Sequence, residues 1–279
     1  MACPFLREGR ARYCHAAPVR KLILDGPGVA DGGRCASPEY RQCEWVAKNA
    51  ARQERCPHWE EVRVQYCGAS PVTKLVPFSD FSSCTSNSYR YCDSYLSLAR
   101  PHATTPPPNL LFTPNHFWLD AEESGLCHIG IDGLLASVAG SVDGVTFLTL
   151  HGTHCPALTL TLHGVEWPMS FSNPLLIEKV NSRVRSDPAR LTADPYGGGW
   201  LFEGWELPGR TRAGLVSGAQ AEAWQADELE RLAKEIHETR ASGCDGGLPV
   251  REVARLLSRQ HLVCLLQRFF SRKGWTVEE

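Results

Sequence analysis

The chain has 279 residues, 43% of them hydrophobic and 22% charged, with a formal net charge of −2. That length accommodates two or three domains, and the composition is that of an ordinary folded protein. The near-neutral charge argues against a nucleic-acid or anionic-membrane surface, which would favour a strong basic excess. No apolar run approaches the ~20 residues that span a bilayer. The opening Met1-Ala2-Cys3-Pro4-Phe5-Leu6-Arg7-Glu8 lacks the apolar stretch of a secretory signal, so the expected location is a reducing cytoplasm.

Twelve cysteines in such a setting need an explanation other than disulfides. Eight of them precede residue 93, so the N-terminal third differs in kind from the rest. Cys3-Pro4, Glu8, Arg10, Tyr13-Cys14, Ala16, Pro18-Val19 and Lys21-Leu22 recur 53 residues later as Cys56-Pro57, Glu61, Arg63, Tyr66-Cys67, Ala69, Pro71-Val72 and Lys74-Leu75. The match resumes at an offset of 49, where Cys35, Ser37, Tyr40, Arg41 and Cys43 correspond to Cys84, Ser86, Tyr89, Arg90 and Cys92. This is an internal duplication, with modules at 1–50 and 54–97 inside an N-terminal region 1–97.

A proline-rich linker, 98–110, follows and should be extended and semi-rigid. Residues 111–208 read as short strands separated by turns. Thr146-Phe147-Leu148-Thr149-Leu150 and Ala157-Leu158-Thr159-Leu160-Thr161-Leu162 alternate with the period of half-buried strands. A second linker covers Gly209 to Gly218. The pattern then turns helical: Trp224, Leu229, Leu232 and Ile236 lie near helical spacing within Ala219–Arg240. Gly243 to Gly247 breaks that helix, and Pro249 opens a second. The second helix is rich in apolar side chains from Leu256 to Phe270, more than one intramolecular stripe uses. Residues 219–279 are therefore expected to form a helical hairpin with an apolar strip left for a partner. The fold class is multidomain α+β.

Two motifs in the central region carry a family resemblance. Phe112-Thr113-Pro114-Asn115-His116-Phe117-Trp118-Leu119 is similar to the Tyr-Thr-x-x-His-Glu-Trp opening of glycine cleavage H proteins. Asp194-Pro195-Tyr196-Gly197-Gly198-Gly199-Trp200-Leu201 resembles their Asp-Pro-Tyr-Gly-x-Gly-Trp-Leu segment. Between them, Gly130-Ile131-Asp132 resembles the family's Gly-Ile-Thr step, and Ser172-Asn173-Pro174 with Val180-Asn181 echoes a later strand. The resemblance covers about a third of the chain and implies a lipoyl-type flattened β-barrel. Trp118, Tyr196 and Trp200 are expected to be packing aromatics. Gly197, Gly198 and Gly199 are expected to supply backbone conformations that other residues avoid.

In that family a lysine at a hairpin tip carries lipoate. The corresponding stretch is Leu162-His163-Gly164-Val165-Glu166-Trp167, and no lysine occurs between Lys74 and Lys179. A non-carrier without lipoate is expected, with His163 nearest the lost position as either a surface turn residue or a substituted functional group.

Each N-terminal copy has the spacing C-x10-C, a loop of 20 or 16 residues, then C-x7-C. Thiolates are soft ligands for zinc or iron–sulfur clusters, and a module of this size buries little surface, so a metal would add folding free energy. The candidate ligands are Cys3, Cys14, Cys35 and Cys43 in one copy, and Cys56, Cys67, Cys84 and Cys92 in the other. The close cysteine pairs usual in structural zinc sites are missing, so a [4Fe–4S] cluster is placed ahead of zinc. The alternative is a set of buried structural thiols. His15, His58, His128 and His154 sit beside cysteines, but the two in the repeats are not at equivalent positions, which argues against them as primary ligands. Cys264 is expected to be a buried packing residue.

Phosphate-loop, dinucleotide, hydrolase-elbow and metalloprotease motifs are lacking, so an enzyme is not expected. The leading expectation is a non-lipoylated accessory protein that docks partners through its barrel and C-terminal helices. The alternatives are an iron–sulfur electron-transfer protein serving a redox partner complex and, third, a true glycine cleavage carrier.

Overall fold

The computed structural model describes residues 2–16, 21–23, 33–46, 54–70, 74–78, 83–98, 106–107, 109–207, 212, 214–239 and 252–270. Much of the proline-rich linker, the Gly243–Gly247 break, Pro249, Cys244 and everything after Phe270 lie outside the described residues. The chain divides into two compact units, Met1–Tyr89 and Arg90–Glu279.

The first unit is built on one antiparallel sheet. Its strands are β1 (Leu6–Cys14), β2 (Lys21–Ile23), β3 (Trp59–Cys67) and β4 (Leu75–Val76), in the order β2-β1-β3-β4. β1 and β3 pair over their full length, with Arg10 opposite Arg63, Leu6 opposite Cys67 and Cys14 opposite Trp59. β2 joins β1 with Leu22 opposite Tyr13, and β4 joins β3 with Leu75 opposite Tyr66. Cross-strand charge pairs line the sheet, Arg10 Nη1 lying 2.8 Å from Glu61 Oε1; at such exposure an ion pair adds less than about 1 kcal/mol. Apolar burial is sparse: among the described residues of this unit it amounts to Cys3, Ala11, Tyr40, Val46, Cys56 and Val76.

The second unit carries the barrel. Its strands are β5 (Leu111–Phe112), β6 (Phe117–Ala121), β7 (Leu126–Ile131), β8 (Gly144–Phe147), β9 (Gly152–His154), β10 (Ala157–Leu162), β11 (Val165–Ser170), β12 (Leu175–Val180), β13 (Phe202–Glu206) and β14 (Val216–Ser217). Seven form a sheet in the order β14-β5-β6-β7-β13-β12-β9, and three form a second, β11-β10-β8. β10 and β11 show why: Leu158, Leu160 and Leu162 alternate with threonines, and Val165, Trp167 and Met169 alternate with Glu166, Pro168 and Ser170. Each strand thus turns one apolar face inward, where those six side chains are at most 6% exposed. The strand expected over Thr146–Leu150 stops at Phe147, and Leu148 and Leu150 are more than half exposed.

Short helices α1 (Asp93–Leu96), α2 (Gly133–Ala139), α3 (Ser182–Ser186) and α4 (Arg190–Ala193) interrupt the strands, and α5 (Gly218–Thr239) follows them. The second expected helix is divided. α6 (Val253–Leu256) ends where Leu257 turns extended, Ser258 caps α7 (Arg259–Leu265), and a π-helical turn runs over Leu266–Phe270. These segments are no free-standing hairpin. Leu232, Ile236, Leu262, Leu265, Phe269 and Phe270 all join the cluster formed by the barrel strands. Most of the apolar side chains that suggested an exposed strip pack there against the barrel wall, while Leu256 remains about half exposed. The boundary at Tyr89/Arg90 also precedes the expected 97/98. Tyr91 is only 5% exposed, donates a 2.6 Å hydrogen bond to Asp120 and stacks on His128 with ring centres 4.1 Å apart.

Candidate functional site

Three features bear on function: the thiols of the first unit, the β10–β11 hairpin tip, and a buried charge cluster in the second unit.

The thiols are distributed by the sheet. Cys14, at the end of β1, faces Trp59, and the His15 amide donates to the His58 carbonyl at 3.0 Å. Cys56 lies just before β3 at that same end, and its amide donates to the Cys35 carbonyl at 2.9 Å. Cys56 packs with Tyr40 and Val46, with Cys35, Cys43 and Trp59 against them. At the other end Cys67 faces Leu6, the Gly68 amide donates to the Phe5 carbonyl at 2.8 Å, and the Cys3 amide donates to the Cys84 carbonyl at 2.8 Å. Cys92 falls in the second unit, at the N-cap of α1. No disulfide joins the described cysteines. Among the described residues no three His, Cys, Asp or Glu side chains surround a point that would hold an ion.

The hairpin tip is a two-residue turn. Leu162 pairs with Val165, and His163 and Gly164 between them have φ of 49° and 74°. Two successive positive φ angles make the turn type that matches strand twist in tight hairpins. Gly164 suits its place, and its amide donates to Asp143 Oδ2 at 3.1 Å. His163 is half-buried and not a fully exposed turn residue, and its Nε2 is enclosed with no hydrogen-bond partner. An amide-linked lipoyl group needs a primary amine, and neither tip residue has one. The tip does not fit lipoate.

The charge cluster centres on His116, which is fully buried with φ of 64°. Its Nδ1–H donates to Asp132 Oδ2 at 2.7 Å, and its Nε2 lies 3.7 Å from Glu228 Oε2, an ion-pair distance and not a hydrogen bond. Glu228 is held in turn by Arg231. Burial opposes the imidazolium, but the Asp132 carboxylate outweighs it with help from Glu228, and the pKa is raised to about 9. Phe269 stacks on the ring and Phe270 meets it edge-on. With α5 supplying Glu228 and the π turn supplying both phenylalanines, the cluster fastens the tail to the barrel. A histidine so enclosed has no route to a substrate. The sequence pattern had pointed to His116 only as part of a motif; Glu228, far along the chain, carried no signal.

The two recognised motifs touch. Trp118 Nε1 donates to the Pro195 carbonyl at 2.9 Å, and the Gly133 amide donates to Tyr196 Oη at 2.7 Å. Trp118, Tyr196 and Trp200 pack together with Tyr91 and Phe112, as packing aromatics should. The glycine expectation needs correction. Gly197, Gly198 and Gly199 do not have positive φ. Gly197 and Gly199 are required for space, since a Cβ would come within 2.4 Å of Asp194 Oδ2 at Gly197 and 2.7 Å of the Asp194 carbonyl at Gly199. Asp194 closes this turn by accepting from the Gly198 amide at 2.6 Å.

A cavity of about 550 Å³ lies beside this turn, lined by Gly133, Ser137, Tyr196, Gln225, Leu229 and Glu252 among others. Burial pushes the Tyr196 hydroxyl well above its ordinary pKa, so the phenol is a poor acid there. Burial likewise raises the Cys127 thiol, which makes it inert. Cys264 is only partly buried on α7. Among the described residues no helix is long and apolar enough to cross a membrane.

The chain is 31% identical over 108 residues to the glycine cleavage system H protein of Streptomyces coelicolor, covering 80% of that protein and 35% of itself. It is 29% identical over 126 residues to that of Mycolicibacterium vanbaalenii, covering 94% of that protein and 43% of itself. A third relative, the glycine cleavage system H protein of Edwardsiella ictaluri, is 30% identical over 100 residues and covered over 77% of its length. The crystal structure of a glycine cleavage system H protein from Mycobacterium marinum matches with a TM-score of 0.37 and 22% identity, over 98% of its length and 43% of this chain. No family model matches the chain. Through its central region, the chain belongs to the glycine cleavage system H protein family.

Proposed function

We propose that this protein is a non-carrier member of its family: an accessory or interaction protein, not an enzyme. Its barrel and tail would dock a protein partner, and its N-terminal unit would hold two thiolate metal centres. The observation that carries the non-carrier reading is the tip Leu162-His163-Gly164-Val165. A carrier needs an exposed amine on a swinging arm, and this tip is a tight turn without one. Loss of the arm leaves the barrel as a recognition surface, consistent with relatives named as the H protein of a glycine cleavage system. The metal reading is supported by eight thiols among the first 92 residues, seven of them in a unit with little apolar burial. An iron–sulfur cluster stands ahead of zinc on the wide cysteine spacing.

Incubation with lipoate, ATP and a lipoate ligase should leave the intact mass unchanged, while a carrier H protein treated in parallel is modified. A lipoyl adduct on any residue from 140 to 177 overturns the proposal and restores the carrier reading. Iron with matching sulfide in anaerobically purified protein would favour electron transfer to a partner as the role of the N-terminal unit; zinc would favour a structural role.

A further inference from the structure

The cavity beside the Asp194–Trp200 turn is built around α2, and at both ends of that helix a glycine admits a polar side chain from another element. A Cβ at Gly133 would stand 3.0 Å from Tyr196 Oη, and one at Gly140 would stand 2.6 Å from Glu252 Cγ. The helix is 7 residues long, so the phenol at one end and the glutamate at the other are set about 10 Å apart. Tyr196 is only 6% exposed. Its Oη accepts from the Gly133 amide at 2.7 Å, and the Gln225 side chain stands beside it as a second donor. The phenol keeps one hydrogen to give, and no acceptor for it lies among the described residues. A buried donor in that position favours a ligand that accepts from it. Glu252 is fixed through its backbone, its amide donating to the Ser137 carbonyl at 2.7 Å. Its carboxylate is mostly exposed, and Arg255 Nη1 lies 4.0 Å away, at the limit of an ion pair.

We propose that this cavity binds a small, elongated organic cation, an ω-aminoalkyl amide, whose carbonyl takes the Tyr196 hydrogen and whose ammonium meets Glu252. The methylene chain between them lies along an apolar wall that includes Leu134 and Leu229. Leu229 is 43% exposed, and covering it gives the chain its share of the affinity. The volume of about 550 Å³ is in the range of small-molecule sites. Charge selects the class of ligand. Glu252 carries the single charge among the described lining residues, with no lysine, arginine or histidine beside it in the wall. An anion would face that carboxylate and also Asp132, whose charge bears on the Tyr196 hydroxyl. A neutral carbonyl is therefore placed at Tyr196 and a cation at Glu252. The site is separate from the hairpin tip and from the thiols of the first unit, and it depends on neither.

Ligand-observed NMR on the full-length protein tests the site, with ε-aminocaproamide as the probe. It should bind more tightly than caproamide, which lacks the ammonium, and more tightly than hexylamine, which lacks the carbonyl. Glu252→Gln should weaken binding of ε-aminocaproamide about fivefold and leave that of caproamide unchanged. Tyr196→Phe should weaken both about tenfold. Tyr196→Phe also removes the bond from Gly133 and can loosen α2, so Glu252→Gln, a change to an exposed side chain, is the deciding variant. The hexylamine comparison on the wild-type chain then tests the carbonyl end without a variant. The proposal is overturned if caproamide, hexylamine or the anion adipamate binds as tightly as ε-aminocaproamide. It is equally overturned if Glu252→Gln leaves the affinity unchanged, or if the wild-type protein binds none of these compounds.

Discussion

The two units exclude water by different means. The second has a continuous core in which barrel strands, short helices and the C-terminal tail share one apolar cluster. The first has a sheet lined with arginine and glutamate and a core of a few side chains, two of them candidate thiol ligands. A duplicated sheet of that kind is not held by burial alone, since the unit is small and its hydrophobic share modest. Cysteine therefore means different things in the two units. In the second, Cys127 donates a thiol hydrogen bond to the Gly204 carbonyl and is a packing residue. In the first, backbone hydrogen bonds from Cys3 to Cys84 and from Cys56 to Cys35 tie segments of the two copies together.

The largest expected effect lies in the second unit. Phe270 is 1% exposed and touches Trp167, His116 and Phe269. Phe270→Ala should destabilise that unit by about 3–5 kcal/mol, read as a fall in its melting transition, with the first unit's transition unmoved. A fall below about 1 kcal/mol would show that the tail is an appendage and not part of the barrel's core. Because the tail shares the barrel's core, the unit to express is 90–279.

His116 supplies the next effect. The native ring holds its proton up to about pH 9, whereas the unfolded chain releases it near 6.5. Its stabilisation is therefore complete below about pH 6.5 and is lost as pH rises through 9, a total of roughly 3 kcal/mol. Unfolding of the second unit across that range should show the decline, and His116→Gln should flatten it. A wild-type profile flat from 6.5 to 9 would contradict the charged cluster.

Tyr91→Phe removes one hydrogen bond to Asp120, which keeps Arg90 at 2.9 Å. The cost should be about 1.5 kcal/mol, borne by the second unit. A loss borne instead by the first unit would move the boundary past residue 97. The smallest effect is at the hairpin. A Cβ at Gly164 meets nothing within 4 Å, so Gly164→Ala carries only the cost of its positive φ, about 1 kcal/mol.

Much of the second unit was legible because its signals are local. Leu158, Leu160 and Leu162 alternate, and the two aromatic–glycine motifs stand where the relatives have them. The break in the second helix went unread, although Ser258 is a good N-cap and accepts from the His261 amide. What the sequence hid is long-range. Tyr91 follows a cysteine repeat and gives no hint that it enters the barrel. Glu228 reads as a surface helix residue, yet it is 7% exposed because the tail folds over His116. The duplication was visible, but the backbone ties between the copies follow from antiparallel pairing, which spacing within one copy cannot reveal.

The contrast between the units is tested most directly by amide hydrogen exchange before and after metal removal with a chelator that takes both iron and zinc. Peptides from Trp59–Cys67 and the Cys35–Cys43 segment should lose protection, while Ala157–Leu162 and Val165–Ser170 keep theirs. Unchanged protection at Trp59–Cys67 in a protein shown to have lost its metal, or an equal loss in both units, would contradict the proposal that metal-bound thiolates hold the first unit while an apolar core holds the second.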